Sequence, residues 1–212
     1  MVTSPAAALT IRDALAREAP MLTQVLGAPF AASAVGQWLD PDPKTRRLSA
    51  AGHIGGLVAA TITSGIAQVA EDDNGEIVGV ALWARYPRDV QSSTSTGSAV
   101  SLLDPAILTI RRRQTVLAQM TDSSRPPAVE SYCLAYLGVR PDQQRQGIGS
   151  RLLVTHHALL HLRRVPAFLL ADDRSRKLFE RHRYTYIGLP QLLPGGPLVW
   201  AMRRSPVPAD PL

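Results

Sequence analysis

The chain is poor in cysteine, lysine and aromatic residues, and each shortage narrows what it can be. Cys133 is the sole cysteine among 212 residues, which excludes an intrachain disulfide framework and any multi-cysteine zinc site. Aromatics make up 5%, so the core must be built mostly from Leu, Val, Ile and Ala. Lys44 and Lys177 are the only lysines; the remaining fixed cations are arginines, a skew that suits a GC-rich bacterial coding sequence. The first residues lack the cationic stretch and apolar run of a signal peptide. Residues 50–70 carry no formal charge and have the length of a membrane span, but His53, Thr61, Thr63, Ser64, Gln68 and four glycines interrupt them. That stretch reads as a buried helix passing into a strand. The expected compartment is the cytoplasm, with no membrane partner. No repeat of period 20–50 is present, which excludes a solenoid or propeller.

What remains is ordinary for a globular chain: 45% apolar, 19% charged and a net charge of +6. The length suits one domain spanning 1–212. Residues 8–26 predict a helix ending near Gly27, and a second helix runs from just after Pro43 to about Gly65. Strand-like 66–71 and 76–83 flank Asp73-Asn74-Gly75, a hairpin signal, and in the second strand Val78, Val80 and Leu82 should share one face. The Ser/Thr-rich segment within 88–104 reads as a mobile loop. A helix follows over 105–120. Its Arg111-Arg112-Arg113 run is read as a solvated face, because no aromatics interleave as in a nucleic-acid surface. Beyond it the pattern predicts strand 131–139, helix 148–164, strand 166–171, helix 175–183, strand 184–188 and a last strand 198–202. Strands alternating with helices after an opening hairpin indicate an α/β (α+β) domain with a mixed sheet.

The segment Leu137-Gly-Val-Arg-Pro-Asp-Gln-Gln-Arg-Gln-Gly-Ile-Gly-Ser-Arg-Leu-Leu153 carries the chemistry. It reads as a strand, a tight loop and a helix N-terminus. Backbone N–H groups of such a loop can converge on one concavity, and the free N–H groups of the helix add partial positive charge. This combination binds phosphate or pyrophosphate. The dinucleotide fingerprint needs a third glycine and the P-loop a Gly-Lys-Ser/Thr; both are absent here. Strand, Val-x-Pro, Gln-x-x-Gly-x-Gly and amphipathic helix resemble motif A of the GNAT N-acetyltransferases. Asp173-Arg-Ser-Arg-Lys-Leu-Phe-Glu-Arg-His-Arg-Tyr184 resembles that family's later P-R-N-x-x-L-Y-E-R-x-G-F motif. Residues 193–204 resemble the tail of the group that includes puromycin N-acetyltransferase. The strong resemblance covers about 130–204.

The resemblance implies a splayed central sheet flanked by helices, with acetyl-CoA as co-substrate in the opening. It places Leu137 and Val139 against the pantetheine amides. Gln144, Arg145, Gln146, Gly147, Ile148, Gly149 and Ser150 would lie around the pyrophosphate, with Arg151 a further candidate and Ser175 beside the pantetheine arm. Val139 N–H would polarise the thioester carbonyl. The implied reaction moves an acetyl group to the primary amine of a small molecule by direct attack. A peptide acceptor, or a degenerate acyl-CoA-binding protein, is the alternative. Three positions depart from the pattern: Phe179 stands for the tyrosine acid, Ser175 for the asparagine and Arg183 for the glycine. Tyr132, Tyr136 and Tyr184 are then candidate proton donors, or the thiolate leaves unaided, since a thiol of pKa about 8.5 is a fair leaving group. Glu130 and Glu71 are candidate bases. An α-amine of pKa about 8 needs less help than a lysine of about 10.4. Many relatives form dimers, which leaves a homodimer open.

Other tempting residues read more plainly. Cys133 is a buried small residue. His157 and His161 have metal-ligand spacing, but no glutamate follows His157, so they read as surface histidines and no metal is expected. Trp83 is core.

Overall fold

In the computed structural model, residues 9–88 and 105–206 are described; the loop expected within 88–104 lies almost wholly outside them. The N-terminal stretch corrects the expected helix over 8–26. Thr10–Asp13 is a strand, β1, which pairs antiparallel with β2 (Ile66–Glu71). Arg12 on β1 ion-pairs with Glu18 and Glu71, tying the strand to the next turn. Helix α1 starts only at Ala19, with Pro20 in its first turn, and runs to Ala32. It continues past Gly27 because Leu22, Val25, Leu26 and Phe30 bury one stripe. A short α2 (Ala34–Leu39), not anticipated, is capped by Ser33 Oγ, which accepts from Gly36 N–H at 3.0 Å. Helix α3 spans Arg46–Ser64. Buried Asp40 organises its start by accepting from Thr45 Oγ1 at 2.8 Å and Ser49 Oγ at 2.6 Å.

β2 and β3 (Ile77–Tyr86) form the expected hairpin. Asp72 Oδ1 accepts from the N–H groups of Asn74 and Glu76, and Gly75 takes φ +75°. A register shift beside Glu71 leaves Val78 without a partner on β2. Val78 therefore joins the core opposite to that of Val80 and Leu82, against strict alternation. After α4 (Pro105–Ser123) come β4 (Ser131–Val139), a 3-10 turn (Pro141–Gln143), α5 (Ile148–Arg163), β5 (Ala167–Ala171) and α6 (Arg176–Arg181). Short β6 (Thr185–Tyr186) and β7 (Gln191–Leu192) precede β8 (Leu198–Arg204).

The sheet order is β1-β2-β3-β4-β5-β8-β6, with β7 pairing on β8. All pairs are antiparallel except β4–β5. One face packs on α1 and α3 through Leu22, Leu26, Ile54, Val58, Val80 and Leu82. The other packs on α5 and α6 through Ala81, Trp83, Leu152, Leu153, Leu160 and Phe179. Among the described residues no helix is long and apolar enough to cross a membrane.

Candidate active site

The parallel pair is where the sheet opens. β4 and β5 pair only at Tyr132–Ala167 and Cys133–Phe168. From there β4 follows β3 to Val139, while β5 follows β8 to Ala171. A cavity of about 400 Å³ occupies the gap. Ala135, Tyr136 and Leu137 of β4 form one wall, and Leu169, Leu170 and Ala171 of β5 the other.

β4 is bent by a bulge. Leu82 pairs with Tyr136 and Trp83 with Leu134, so Ala135 has no partner on β3. Ala135 and Tyr136 consequently both turn toward the α1 side, and Leu137 and Val139 toward α5. Beyond the bulge, Arg140 N–H donates to Val78 C=O at 2.9 Å. Antiparallel pairs alternate between bonded and non-bonded, so Leu137 and Val139 point their N–H and C=O away from β3, into the gap. Val139 C=O there accepts from Gln144 Nε2 at 3.1 Å.

The loop after Val139 ends in two left-handed residues, Arg145 (φ +66°) and Gly147 (φ +81°). Nothing lies within 4 Å of where a Gly147 Cβ would stand, so it is the backbone angle that demands glycine. No side chain caps α5. The first intrahelical bond is Arg151 N–H to Gly147 C=O, which leaves the N–H groups of Ile148, Gly149 and Ser150 without helix acceptors. This is an anion-binding geometry made by the main chain. The side chains of the loop do other work. Ile148 is buried, Gln146 Nε2 donates to Gln143 Oε1 at 3.1 Å, and Arg145 is exposed. Arg151 donates to Leu9 C=O at 2.6 Å, and Ser150 Oγ is 3.0 Å from His182 Nε2.

The proposed acid–base residues scatter. Glu130 sits just before β4, at the opposite end from Val139, in an ion pair with Arg85 at 2.7 Å. A nine-residue strand, about 30 Å, separates it from the loop. Glu71 pairs with Arg12. Tyr132 is buried against His156 and is not among the cavity's lining residues. Tyr184 is also outside that lining, with its hydroxyl 3.0 Å from His157 Nε2; burial keeps it protonated far above its usual range. His157 thus corrects the surface reading. It is buried, as is His156, because this part of α5 faces the sheet, while His161 is exposed. Burial lowers His156 and His157 to about 3.

Four groups do meet at the cavity. Phe179 and Ser175 close it from the α6 side; Ser175 Oγ donates to Asp172 Oδ1 at 2.6 Å. Tyr136 faces it, protonated because burial and then the Asp172 charge raise its pKa. No described hydrogen bond occupies its hydroxyl. His53 of α3 lines the same space, stacked on Phe30 at 5.0 Å with Nδ1 3.4 Å from Gln114 Nε2. Burial lowers its pKa and keeps it neutral. His53 was not singled out in the sequence. The available signal was its place on the stripe Ala50, His53, Ile54, Leu57, a lone titratable group on an otherwise apolar face. Cys133 also touches the cavity, its thiol pushed up to about 12 by burial.

No protein-family model matches the chain. Solved structures do match it nearly end to end. One is a Corynebacterium glutamicum protein named as histone acetyltransferase HPA2 and related acetyltransferase, 22% identical, with TM-score 0.68 over 95% of this chain and 98% of that one. Another is arylalkylamine N-acetyltransferase 2 from Aedes aegypti, 11% identical, with TM-score 0.66 over 93% and 98%. A third, a GNAT family acetyltransferase from Brucella melitensis in complex with acetyl-CoA, is 17% identical, with TM-score 0.52 over 96% and 92%. The fold is that of the GNAT acetyltransferases. Within that fold, the opening beside β4 and the β4–α5 loop are the features described above.

Proposed function

We propose that the chain is an acetyl-CoA-dependent N-acetyltransferase acting on the primary amine of a small molecule. One observation carries the reading: backbone groups of Leu137 and Val139 face the gap, and the open N-terminus of α5 lies at its end. A thioester-bearing arm laid along β4 would pair there as an added strand, with its pyrophosphate on the N–H groups of 148–150. The Brucella neighbour bound to acetyl-CoA supports the same use of the fold.

The chain's own groups supply the rest. His53, neutral and facing the cavity, takes one proton from the ammonium and passes it to solvent. The amine nitrogen then bonds to the carbonyl carbon as the carbon–sulfur bond breaks. Val139 N–H stabilises the charge on the carbonyl oxygen. The second proton leaves the nitrogen for solvent, and Tyr136 hydroxyl protonates the departing sulfur and is reprotonated in turn. Phe179, at the position the resemblance assigns to a tyrosine, favours a second reading: a protein that binds acyl-CoA without turnover.

Thermal unfolding with acetyl-CoA tests binding. At about 100 times Kd the ligand adds roughly 2.7 kcal/mol, or about 5–10 °C in Tm for a domain this size. The shift should vanish in Gly147→Arg. No shift in the parent chain overturns both readings. A shift without thiol release for any amine leaves only the binding protein.

A further inference from the structure

Beside the open end of α5 lies a row of titratable rings that the chemistry at the cavity does not use. His182 follows α6 and precedes the left-handed turn at Arg183. It is half-buried, and its Nε2 stands 3.0 Å from Ser150 Oγ. The His157 ring lies 6.0 Å from the His182 ring, and His157 is itself bonded to the Tyr184 hydroxyl at 3.0 Å. Ser150 is the third residue of α5, one of the three whose N–H groups lack helix acceptors. Helical side chains lean toward the N-terminus, so its hydroxyl belongs to the same end of the helix as those N–H groups.

A serine hydroxyl has one proton to give. Two arrangements fit its contact with His182. If Nε2 lacks a proton, Ser150 donates to it and turns a lone pair toward an arriving phosphate. If Nε2 carries one, Ser150 accepts from His182, and its own proton is free to bond a phosphate oxygen. The protonated imidazole allows only the second arrangement and adds a positive charge. In the free chain the surroundings oppose that charge: burial first, then Arg181 beside it in sequence and Arg204 of β8. His157, lowered to about 3 by burial, stays neutral and does not offset them. A doubly charged diphosphate at the α5 N-terminus would reverse this balance.

We propose, resting on the acetyl-CoA-binding reading, that His182 is a positioning residue of the diphosphate site: it makes Ser150 a donor toward the anion and takes a proton from solvent as the anion binds. Affinity for the nucleotide then rises as the pH falls, while turnover through neutral His53 rises with pH. The cofactor end and the acceptor end answer a change of pH in opposite directions.

Dephospho-CoA is the probe. Its diphosphate keeps its charge across the working range, whereas the 3′-phosphate of CoA takes up protons by itself at about pH 6. Calorimetric titration into the full chain, in two buffers of different ionisation enthalpy, counts the protons taken up. A rise of one pKa unit on binding gives an uptake of about half a proton at its maximum, and Kd falls by up to about tenfold between pH 8 and pH 5.5. His182→Gln keeps an N–H for Ser150 but cannot titrate, so its uptake should be absent and its Kd flat with pH. Ser150→Ala should weaken binding at pH 5.5 by about tenfold, the lower end for a hydrogen bond to a charged group. Binding to the parent chain with no uptake and equal Kd at both pH values overturns the proposal. So does uptake that persists in His182→Gln, or binding of acetyl-CoA without binding of dephospho-CoA. If acetyl-CoA itself gives no Tm shift, the acetyl-CoA-binding reading fails first and takes the proposal with it, so the two failures are distinguishable.

Discussion

The two ends of the opening recognise by different means. At the α5 end the groups on offer are main-chain: the N–H and C=O of Leu137, the N–H of Val139, and the free N–H groups of 148–150. Side chains there are buried, exposed or engaged elsewhere, as Ile148, Arg145 and Arg151 show. At the α1–α3–α4 end the backbone is locked inside helices, and only side chains reach the cavity: Phe30, His53, Gln114, Leu117, Asp122. A backbone site tolerates many sequences provided its angles are kept. A side-chain site changes character with each substitution. The first suits a constant ligand, the second a variable one.

If that division is right, substitutions at one end leave the other alone. The largest expected effect is on chemistry. His53→Gln should lower kcat about 100-fold, within the range for loss of a general base, while acetyl-CoA binding stays unchanged. In the parent chain the acid limb of kcat against pH should lie below the ordinary histidine range, because burial lowers the His53 pKa. That limb should be missing in the variant. A rise in acetyl-CoA Kd with kcat intact would break the comparison.

The next effect is on stability and belongs to the α5 face. Both ring nitrogens of His156 are buried without partners among the described residues, and its ring stacks on Trp83 at 4.0 Å. With the folded pKa at about 3 and the unfolded one near 6.5, the unfolded chain takes up protons first as the solution is acidified. Stability is therefore full above about pH 6.5 and falls on the way down toward pH 3. From pH 6.5 to 5 this histidine contributes a loss of up to about 2 kcal/mol, and His157 adds to it. Urea midpoints at the two pH values would read it, and His156→Phe should flatten the dependence. An unmoved midpoint would mean that these rings are not held neutral.

The smallest effect lies where the later motif departs from its pattern. Arg183 takes φ +64° at the position the resemblance assigns to glycine. A left-handed L-residue costs roughly 1–2 kcal/mol, partly offset by the greater freedom of an unfolded glycine. Arg183→Gly should raise stability by about 1 kcal/mol without changing acetyl-CoA binding. A loss of stability would show that the arginine side chain does more than fill the turn.

The same division explains what could be read in advance. The β4–α5 segment was legible because a left-handed Gly147 and an uncapped helix impose particular residues at particular spacings. The hairpin was legible from Asn74-Gly75. The acceptor side was not. Any apolar residue can occupy most of its positions, and His53 differs from its surroundings only by being titratable. Glu130 stands at a strand end expected to approach the cleft and Tyr184 lies close to the Phe179 position, but pairing and burial place one in a strand-end ion pair and the other against His157. β1 was missed because Arg12 and Asp13 break the apolar alternation that marks a strand, while the Arg12 charge is met by Glu18 and Glu71.

The place of β8 has a consequence in time. It lies between β5 and β6, and the turn before it packs Gly196 against the Trp38 indole, where a Cβ would collide with the ring. Trp38 Nε1 also donates to Pro194 C=O at 2.8 Å. During synthesis, β5 thus waits with an open hydrogen-bonding edge until residue 198 and beyond have left the ribosome, and α2 waits for the same segment. Contacts so distant in sequence are costly to close and slow to form. A ribosome stalled before that point would hold a nascent chain with an unpaired strand, the state most prone to associate with another copy.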